Sequence, residues 1–458
     1  MRQILLAALV ALPFGTGAIA DPLDTSKRPR VRPAVGVVAT AQQFTRVSAD
    51  LSRPLLSITR SLRPKVRPGG LTTVAAIVPM DDEYAAERAG YAGWITGFRS
   101  RAMAQGITAR TLDAAFSEAQ FLPDVIKRDR SQSEFTLTVG DYIGRTVSDA
   151  RIGKGREQAV AQAATLARIE ERFGVEQRYV AAIWGMESNF GSHRGSTHLV
   201  SALSTLAYEG RRGDFFEGEL ISALKILQNG DVSAHDMTGS WAGAMGHTQF
   251  MPGSYLAYAV DFTGDGKRDI WSDDPTDALA STAAYLAKFG WIAGMPWGAE
   301  VTLPAGFDFS TAADRRMPSD WARLGVRGID GRAVPDHGSA RLLLPMGADG
   351  PAFLVFKNFD VIKRYNNSDS YALAVSHLGD RIAGGGNFRT SWPADARALK
   401  SDERKELQQL LTVKGFETGG VDGRIGPNTV TAIRAYQRSV GLAADGHASV
   451  KVLASLRR

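Results

Sequence analysis

Tyr179-Val-Ala-Ala-Ile-Trp-Gly-Met-Glu-Ser-Asn-Phe-Gly191 is the stretch on which the reading of this chain turns. Val180, Ile183, Trp184 and Glu187 fall at i, i+3, i+4 and i+7, a single face on an α-helix. The spacing predicts a helix with an apolar stripe, from whose end Glu187 projects beside Trp184. Burial among apolar groups disfavours a carboxylate relative to its acid. An acid that keeps its proton near neutrality suits general-acid catalysis. A lone glutamate at a helix end is more often a surface or capping residue, so its neighbourhood matters. The second block, Gly239-Ser-Trp-Ala-Gly-Ala-Met-Gly-His-Thr-Gln-Phe-Met-Pro-Gly-Ser-Tyr255, is rich in glycine, aromatics and small polar groups. Such a loop lets a bulky ligand approach the backbone closely.

Helical periodicity continues outward from these blocks. Asp81-Asp82-Glu83 places negative charge where a helix begins, and Tyr91, Trp94, Ile95 and Phe98 share one face. Thr111 to Phe116 and Gln158 to Phe173 read as further helices, the latter closed by Gly174. The pattern changes over about 298–357, where Val301-Thr-Leu303, Ala340 to Pro345 and Phe353 to Phe356 read as short strands. It turns helical again with Phe359, Ile362 and Tyr365, and with Tyr371 to Leu378. The expected fold is mainly α, with a small β-rich insertion.

Composition bounds the rest. A chain of 458 residues with 44% hydrophobic content builds a sizeable core and holds two to four domains. It has no cysteine, which excludes disulfides, thiolate zinc sites, thiol nucleophiles and Cys-anchored lipid. The seven histidines show no ligand pairing. The net charge of +6 suits an anionic partner, but no nucleic-acid-binding signature accompanies it. Residues 1–20, with Arg2, the apolar run Ile4 to Leu12 and Ala18-Ile19-Ala20, read as a cleavable signal peptide. No later stretch approaches eighteen apolar residues, so no membrane span is expected in the mature form. Residues 21–78 read as a basic, Pro-containing linker with the near-repeat Arg-Pro-Arg-Val-Arg-Pro (28–33) and Arg-Pro-Lys-Val-Arg-Pro (63–68). A second linker, 386–397, precedes a compact unit at 398–458. There Glu403 to Leu411, Asn428 to Val440 and Ala448 to Leu456 read as three helices. Between them lie Gly419-Gly-Val-Asp-Gly423 and its echo Ala444-Asp-Gly446.

The block Glu187-Ser-Asn-Phe-Gly191 and the 239–255 loop resemble the lytic murein transglycosylases of the membrane-bound B type. The resemblance runs on through Tyr208-Glu-Gly-Arg-Arg-Gly-Asp-Phe-Phe216, Ala259-Val-Asp-Phe-Thr-Gly-Asp-Gly266 and Arg364-Tyr-Asn366. It covers roughly 80–385 and implies a lysozyme-like catalytic domain at 79–385 with Glu187 as the single acid/base. The implied reaction cleaves the MurNAc–GlcNAc bond without water and leaves a 1,6-anhydroMurNAc end, with no catalytic cofactor. It further implies that Ser240 lies near Glu187, that Gln249 bonds the sugar, and that Tyr365 and Asn366 line the cleft. Arg211 and Arg212 are candidates for stem-peptide carboxylates. Glu209, Asp214, Glu217 and Glu219 read as a solvated helix face.

Asp261-Phe-Thr-Gly-Asp-Gly266 sets oxygen ligands at positions 1, 3 and 5 with glycine at 6, the front of an EF-hand loop. Position 12 is Ser272 rather than Glu. The family's lengthened loop implies closure by Asp277. The implied ligands are Asp261, Thr263, Asp265, the Lys267 carbonyl and Asp277, around a structural calcium ion or a sodium ion in its place. The 398–458 unit resembles a peptidoglycan-binding type 1 module and implies a three-helix bundle. The expected partners are glycan strands and stem peptides, with other cell-wall enzymes also in view, and the expected compartment is the periplasm. A hydrolytic muramidase on the same fold and a non-catalytic wall-binding scaffold are the rival readings.

Overall fold

The computed structural model describes residues 84–130, 137–393 and 397–458. The expected signal peptide, the 21–78 linker and the Asp81-Asp82-Glu83 helix start lie outside these residues, as does part of the 386–397 linker.

The largest core belongs to a cluster of helices. Gln177–Ser188 packs against Asp369–Ile382, and Leu199–Glu209 packs against Gly213–Asn229. Val180, Ile183 and Trp184 are buried there with Leu203, Leu224 and Leu373. Each such aliphatic side chain contributes roughly 1.5–3 kcal/mol on burial.

The Gln177–Ser188 helix ends in three successive left-handed residues, Asn189 (φ 50°), Phe190 (φ 58°) and Gly191 (φ 77°). That run swings the Phe190 ring back onto its own helix. A Cβ on Gly185 would stand 2.6 Å from the ring, and one on Gly155 would stand 3.0 Å from it. The ring fills the space at Gly185, and the ring with Ile382 fills it at Gly155, so neither position has room for a side chain.

The stretch 158–173 differs from its expectation. It is not one helix: Asp149–Ala161 and Ala163–Phe173 meet at Gln162, whose ψ of 14° breaks the run. The bend lets each half bury its own face, Ile152 and Gly155 on one, Leu166 and Ile169 on the other.

A four-stranded antiparallel sheet occupies 298–355, in the order Arg327–Gly328, Gly298–Thr302, Ala352–Val355, Arg341–Leu343. Val301 pairs with Gly328, Gly298 with Val355 and Leu342 with Leu354. It has its own core around the fully buried Trp321, whose Nε1 donates to the Ala340 carbonyl (2.9 Å). The fold is mainly helical, with small sheets, as the periodicity predicts.

Ser401–Val413, Pro427–Ser439 and Val450–Leu456 form a third core around Leu407, Ile433 and Leu453. This bundle is docked. The Ala348 amide, in the strand Pro345–Ala348, donates to Asp445 Oδ2 (2.7 Å), and Lys451 pairs with Asp349 (3.1 Å).

Candidate active site

Glu187 sits in the last turn of its helix, with the apolar stripe behind it and an open cavity of about 490 Å³ in front. Ser148, Arg151, Lys154, Met186, Asn189 and His193 help line that cavity, and Glu187 is the one carboxylate among its lining residues. The residue is partly exposed toward the cleft, yet protein crowds its carboxyl on the remaining sides. Burial pushes the Glu187 pKa up to about 7, opposed by a hydrogen bond from Tyr371. The Tyr371 hydroxyl donates to Glu187 Oε1 at 2.5 Å. Tyr371 comes from the facing helix Asp369–Ile382 and is itself buried, which pushes its own pKa far up. The phenol therefore keeps its proton and stays a donor.

His247 ties the Gly-rich loop to this helix. Its carbonyl accepts from Ser188 Oγ (2.5 Å), and its Nδ1 accepts from Trp184 Nε1 (3.1 Å). Indole is a donor only, so Nδ1 is bare and the ring proton sits on Nε2. Nε2 donates to the Ser272 carbonyl (2.8 Å). Arg194 Nη1 lies 3.1 Å from that nitrogen and donates to the Ser272 carbonyl (2.6 Å) instead. Burial holds the His247 pKa below the usual histidine range, so the ring is neutral at neutral pH.

Ser240 Oγ accepts from the Ala244 amide (3.0 Å) and shapes its own loop. Gln249, with φ 53°, donates through Nε2 to the Gly246 and Arg194 carbonyls (2.9 and 3.0 Å). That leaves its carbonyl oxygen as the polar group free for a ligand. The Tyr365 hydroxyl donates to the Thr248 carbonyl (2.7 Å), and its ring packs tilted against Phe250 and edge-on against Tyr285. Asn366 is exposed just past the helix Lys357–Tyr365.

Arg211 and Arg212 are both engaged. They bracket the buried carboxylate of Asp129, Arg211 through Nε (2.8 Å) and Arg212 through Nη2 (2.5 Å). The acidic stretch is also not simply solvated. The Glu209 side chain is only 8% exposed and pairs with Arg130, and Glu217 pairs with Arg101 (2.8 Å). Glu219 accepts from the Gly253 amide (2.8 Å). Each of these three carboxylates has found a donor brought in by the tertiary fold. Asp214 stays exposed at its helix start.

Carboxylate oxygens of Asp261, Asp265 and Asp277 lie within 4.8 Å of one another. Asp277, buried at the start of the helix Thr276–Lys288, accepts the amides of Phe262, Thr263 and Asp269 (2.9–3.0 Å). Asp261 accepts those of Gly264 and Gly266 (2.6 and 2.8 Å). These bonds fold the loop so that three anions converge, and no basic side chain forms an ion pair with them among the described residues. Such a donor set fits a hard cation. Thr263 Oγ1 stands 3.3 Å from Asp261 Oδ1, at the same cluster. A larger cavity, about 770 Å³, is bordered by Arg194, Lys267 and Trp271 and does not include Glu187.

Sequence reasoning missed Tyr371 and His247. Tyr371 carries an apolar-face signal that ordinary packing explains, and its hydroxyl partner is 184 residues away. Arg151 and Lys154 also escaped it, although they line the same cavity as Glu187.

With this geometry in hand, comparison with known proteins is specific. The Transglycosylase SLT domain family matches residues 90–380, and a peptidoglycan binding domain family matches 400–456. The membrane-bound lytic murein transglycosylase B of Escherichia coli is 36% identical over 226 residues, 48% of this chain. That match spans 60% of the relative's length. SltB3 from Pseudomonas aeruginosa, solved in complex with NAG-anhNAM-pentapeptide, is 49% identical with a TM-score of 0.78. The superposition covers 80% of this chain and 99% of that one. The lytic transglycosylase Slt35 of Escherichia coli, solved in complex with calcium, is 29% identical with a TM-score of 0.54, over 66% of this chain and 94% of that one. A helix that presents one crowded glutamate to a cleft, on a match spanning most of the helical core, leaves one conclusion: the chain belongs to the Transglycosylase SLT domain family.

Proposed function

We propose that this chain is a lytic transglycosylase of peptidoglycan, with Glu187 as its only acid/base. The observation that carries the reading is the lone carboxylate in the cavity, held near neutrality by burial. Hydrolytic glycosidases of the common kind need a carboxylate pair. Here Glu187 gives its proton to the GlcNAc O4 as the MurNAc C1–O4 bond breaks. The resulting carboxylate, held by Tyr371, then takes the proton of the MurNAc 6-hydroxyl as O6 closes on C1. The glutamate ends protonated, the sugar carries a 1,6-anhydro ring, and no water is consumed. Tyr371 orients the carboxylate through both steps, and His247 holds the last helix turn in place.

Ser240, Gln249, Tyr365 and Asn366 would line the glycan path. Arg211 and Arg212 would meet stem-peptide carboxylates only along the edges that Asp129 leaves free. The 398–458 module would bind the same polymer. Work on murein lies outside the cytoplasm, and the expected leader at 1–20 suits export to the periplasm. No described helix is long and apolar enough to cross a membrane.

Mass analysis of the products from purified peptidoglycan tests the reading. Fragments should end in 1,6-anhydroMurNAc, one water lighter than reducing ends. Reducing ends would move the enzyme to the hydrolytic class.

The three-carboxylate loop would hold calcium as a structural ion through Asp261, Thr263, Asp265, the Lys267 carbonyl and Asp277. Binding the folded state alone stabilises it by about 2.7 kcal/mol at a hundredfold excess over Kd. Melting should therefore rise by several degrees with calcium and fall back with chelator, and Asp277→Asn should abolish the difference. A wild-type midpoint that ignores calcium would overturn the assignment.

A further inference from the structure

The C-terminal bundle contains the same device twice. In the first copy, Gln408 reaches from its helix to the loop Val421-Asp422-Gly423-Arg424. Its Nε2 donates to Asp422 Oδ1 (3.0 Å), and its Oε1 accepts the Gly423 amide (2.7 Å). In the second, Gln437 does this for Ala444-Asp445-Gly446-His447, at 2.7 Å to Asp445 Oδ1 and 2.8 Å from the Gly446 amide. Both glutamines are buried, and both glycines are left-handed, at φ 76° and 77°. A basic residue stands three positions before each glutamine, Lys405 and Arg434.

The second copy is occupied by the protein's own chain. Asp445 Oδ2 accepts the Ala348 amide at 2.7 Å. The residue before that amide, Gly347, has φ 70°, and an L-type Cβ on it would stand 2.5 Å from Asp445 Oδ2. Lys451 pairs with Asp349, the residue that follows the guest amide (3.1 Å). The guest is thus an amide N–H that follows a positive-φ residue, with the carboxylate of Asp349 next to it. A positive φ is the mirror image of the ordinary L conformation, so D-residues adopt it readily and L-residues do not.

The first copy is open. Asp422, Lys405 and Arg424 are all exposed, no donor from outside the bundle bonds Asp422, and neither cation is in an ion pair among the described residues. We infer that the Asp422 loop binds a peptide amide following a D-residue, with Lys405 and Arg424 taking the peptide's carboxylates. The ligand class is an acidic, D-residue-containing stem peptide. This inference rests on the peptidoglycan reading and assigns its peptide part to one loop of the bundle.

The test is calorimetric titration of the full chain with the tetrapeptide L-Ala-γ-D-Glu-meso-diaminopimelate-D-Ala and with its counterpart having L-residues throughout. Asp422→Asn keeps the Oδ1 acceptor that shapes the loop but sets an NH₂ against the incoming amide. It should weaken binding of the natural peptide about tenfold or more, as loss of a hydrogen bond to a charged group does. Lys405→Glu, on an exposed helix face, should weaken it as well. The all-L peptide should bind the wild type at least about tenfold more weakly. Unchanged binding in both variants, or equal binding of the two peptides, would overturn the inference. Cleavage of soluble glycan by the same variants should equal wild type, which keeps the catalytic reading separately measurable.

Discussion

Glu187→Gln is expected to abolish glycan cleavage. Removal of a positioned acid/base costs about 10²–10⁴ in rate, and no second carboxylate lines the cavity to take over. The amide keeps the side chain's shape and still accepts from Tyr371, so the fold survives. Stability should in fact rise. Burial raises the Glu187 pKa from 4.5 to about 7. The folded state then holds a proton that the unfolded state releases, so stability falls as pH climbs from about 4.5 and levels off above about 7. The shift is worth roughly 3 kcal/mol. The glutamine variant lacks this penalty and should melt higher than wild type at pH 8, with the gap closing by pH 4. Activity assays on purified sacculi, alongside melting curves at both pH values, give the two readouts. Retained cleavage would remove Glu187 from the mechanism.

The second large effect concerns Tyr371. Wild-type kcat/KM should fall about tenfold per pH unit on the alkaline side of about 7, as Glu187 loses its proton. The Tyr371 hydroxyl donates to the carboxylate and so favours the charged form. Tyr371→Phe removes that donor, which raises the Glu187 pKa and moves the alkaline limb to higher pH. The same variant loses a hydrogen bond to the charged base of the second step. Its kcat should drop by about ten- to a hundredfold, since such bonds are worth about 1.5–3 kcal/mol. A pH profile separates this from simple loosening. A slower enzyme whose alkaline limb has not moved would show that Tyr371 does not act through the glutamate.

What was legible in the chain was local. The i, i+3, i+4, i+7 spacing of Val180, Ile183, Trp184 and Glu187 fixes both the helix and its buried face. The strands of the insertion announce themselves by composition, and the three terminal helices by period. What was not legible is pairing across long stretches of chain. Nothing near Arg211 and Arg212 reveals that Asp129, more than eighty residues earlier, is buried against them. Nothing near Glu187 names Tyr371. The bend at Gln162 escaped for a related reason: helical periodicity is kept on both sides of it, and the halves differ only in which face each buries, Ile152 and Gly155 in one, Leu166 and Ile169 in the other. Asp277 is the converse case. Its place in the acidic loop came from resemblance alone, and the fold brings it within reach of Asp261 and Asp265.

The bond from the Ala348 amide to Asp445 has a consequence for geometry on the polymer. A module on a slack string would enrich substrate equally in every direction. A module pinned to the insertion has a fixed heading relative to the cleft. A glycan strand has two chemically different ends, and a rigid offset between grip and blade makes them inequivalent to the enzyme. On the proposed reading the docking contact would confer a vector, fixing the orientation in which a bound strand meets the cleft.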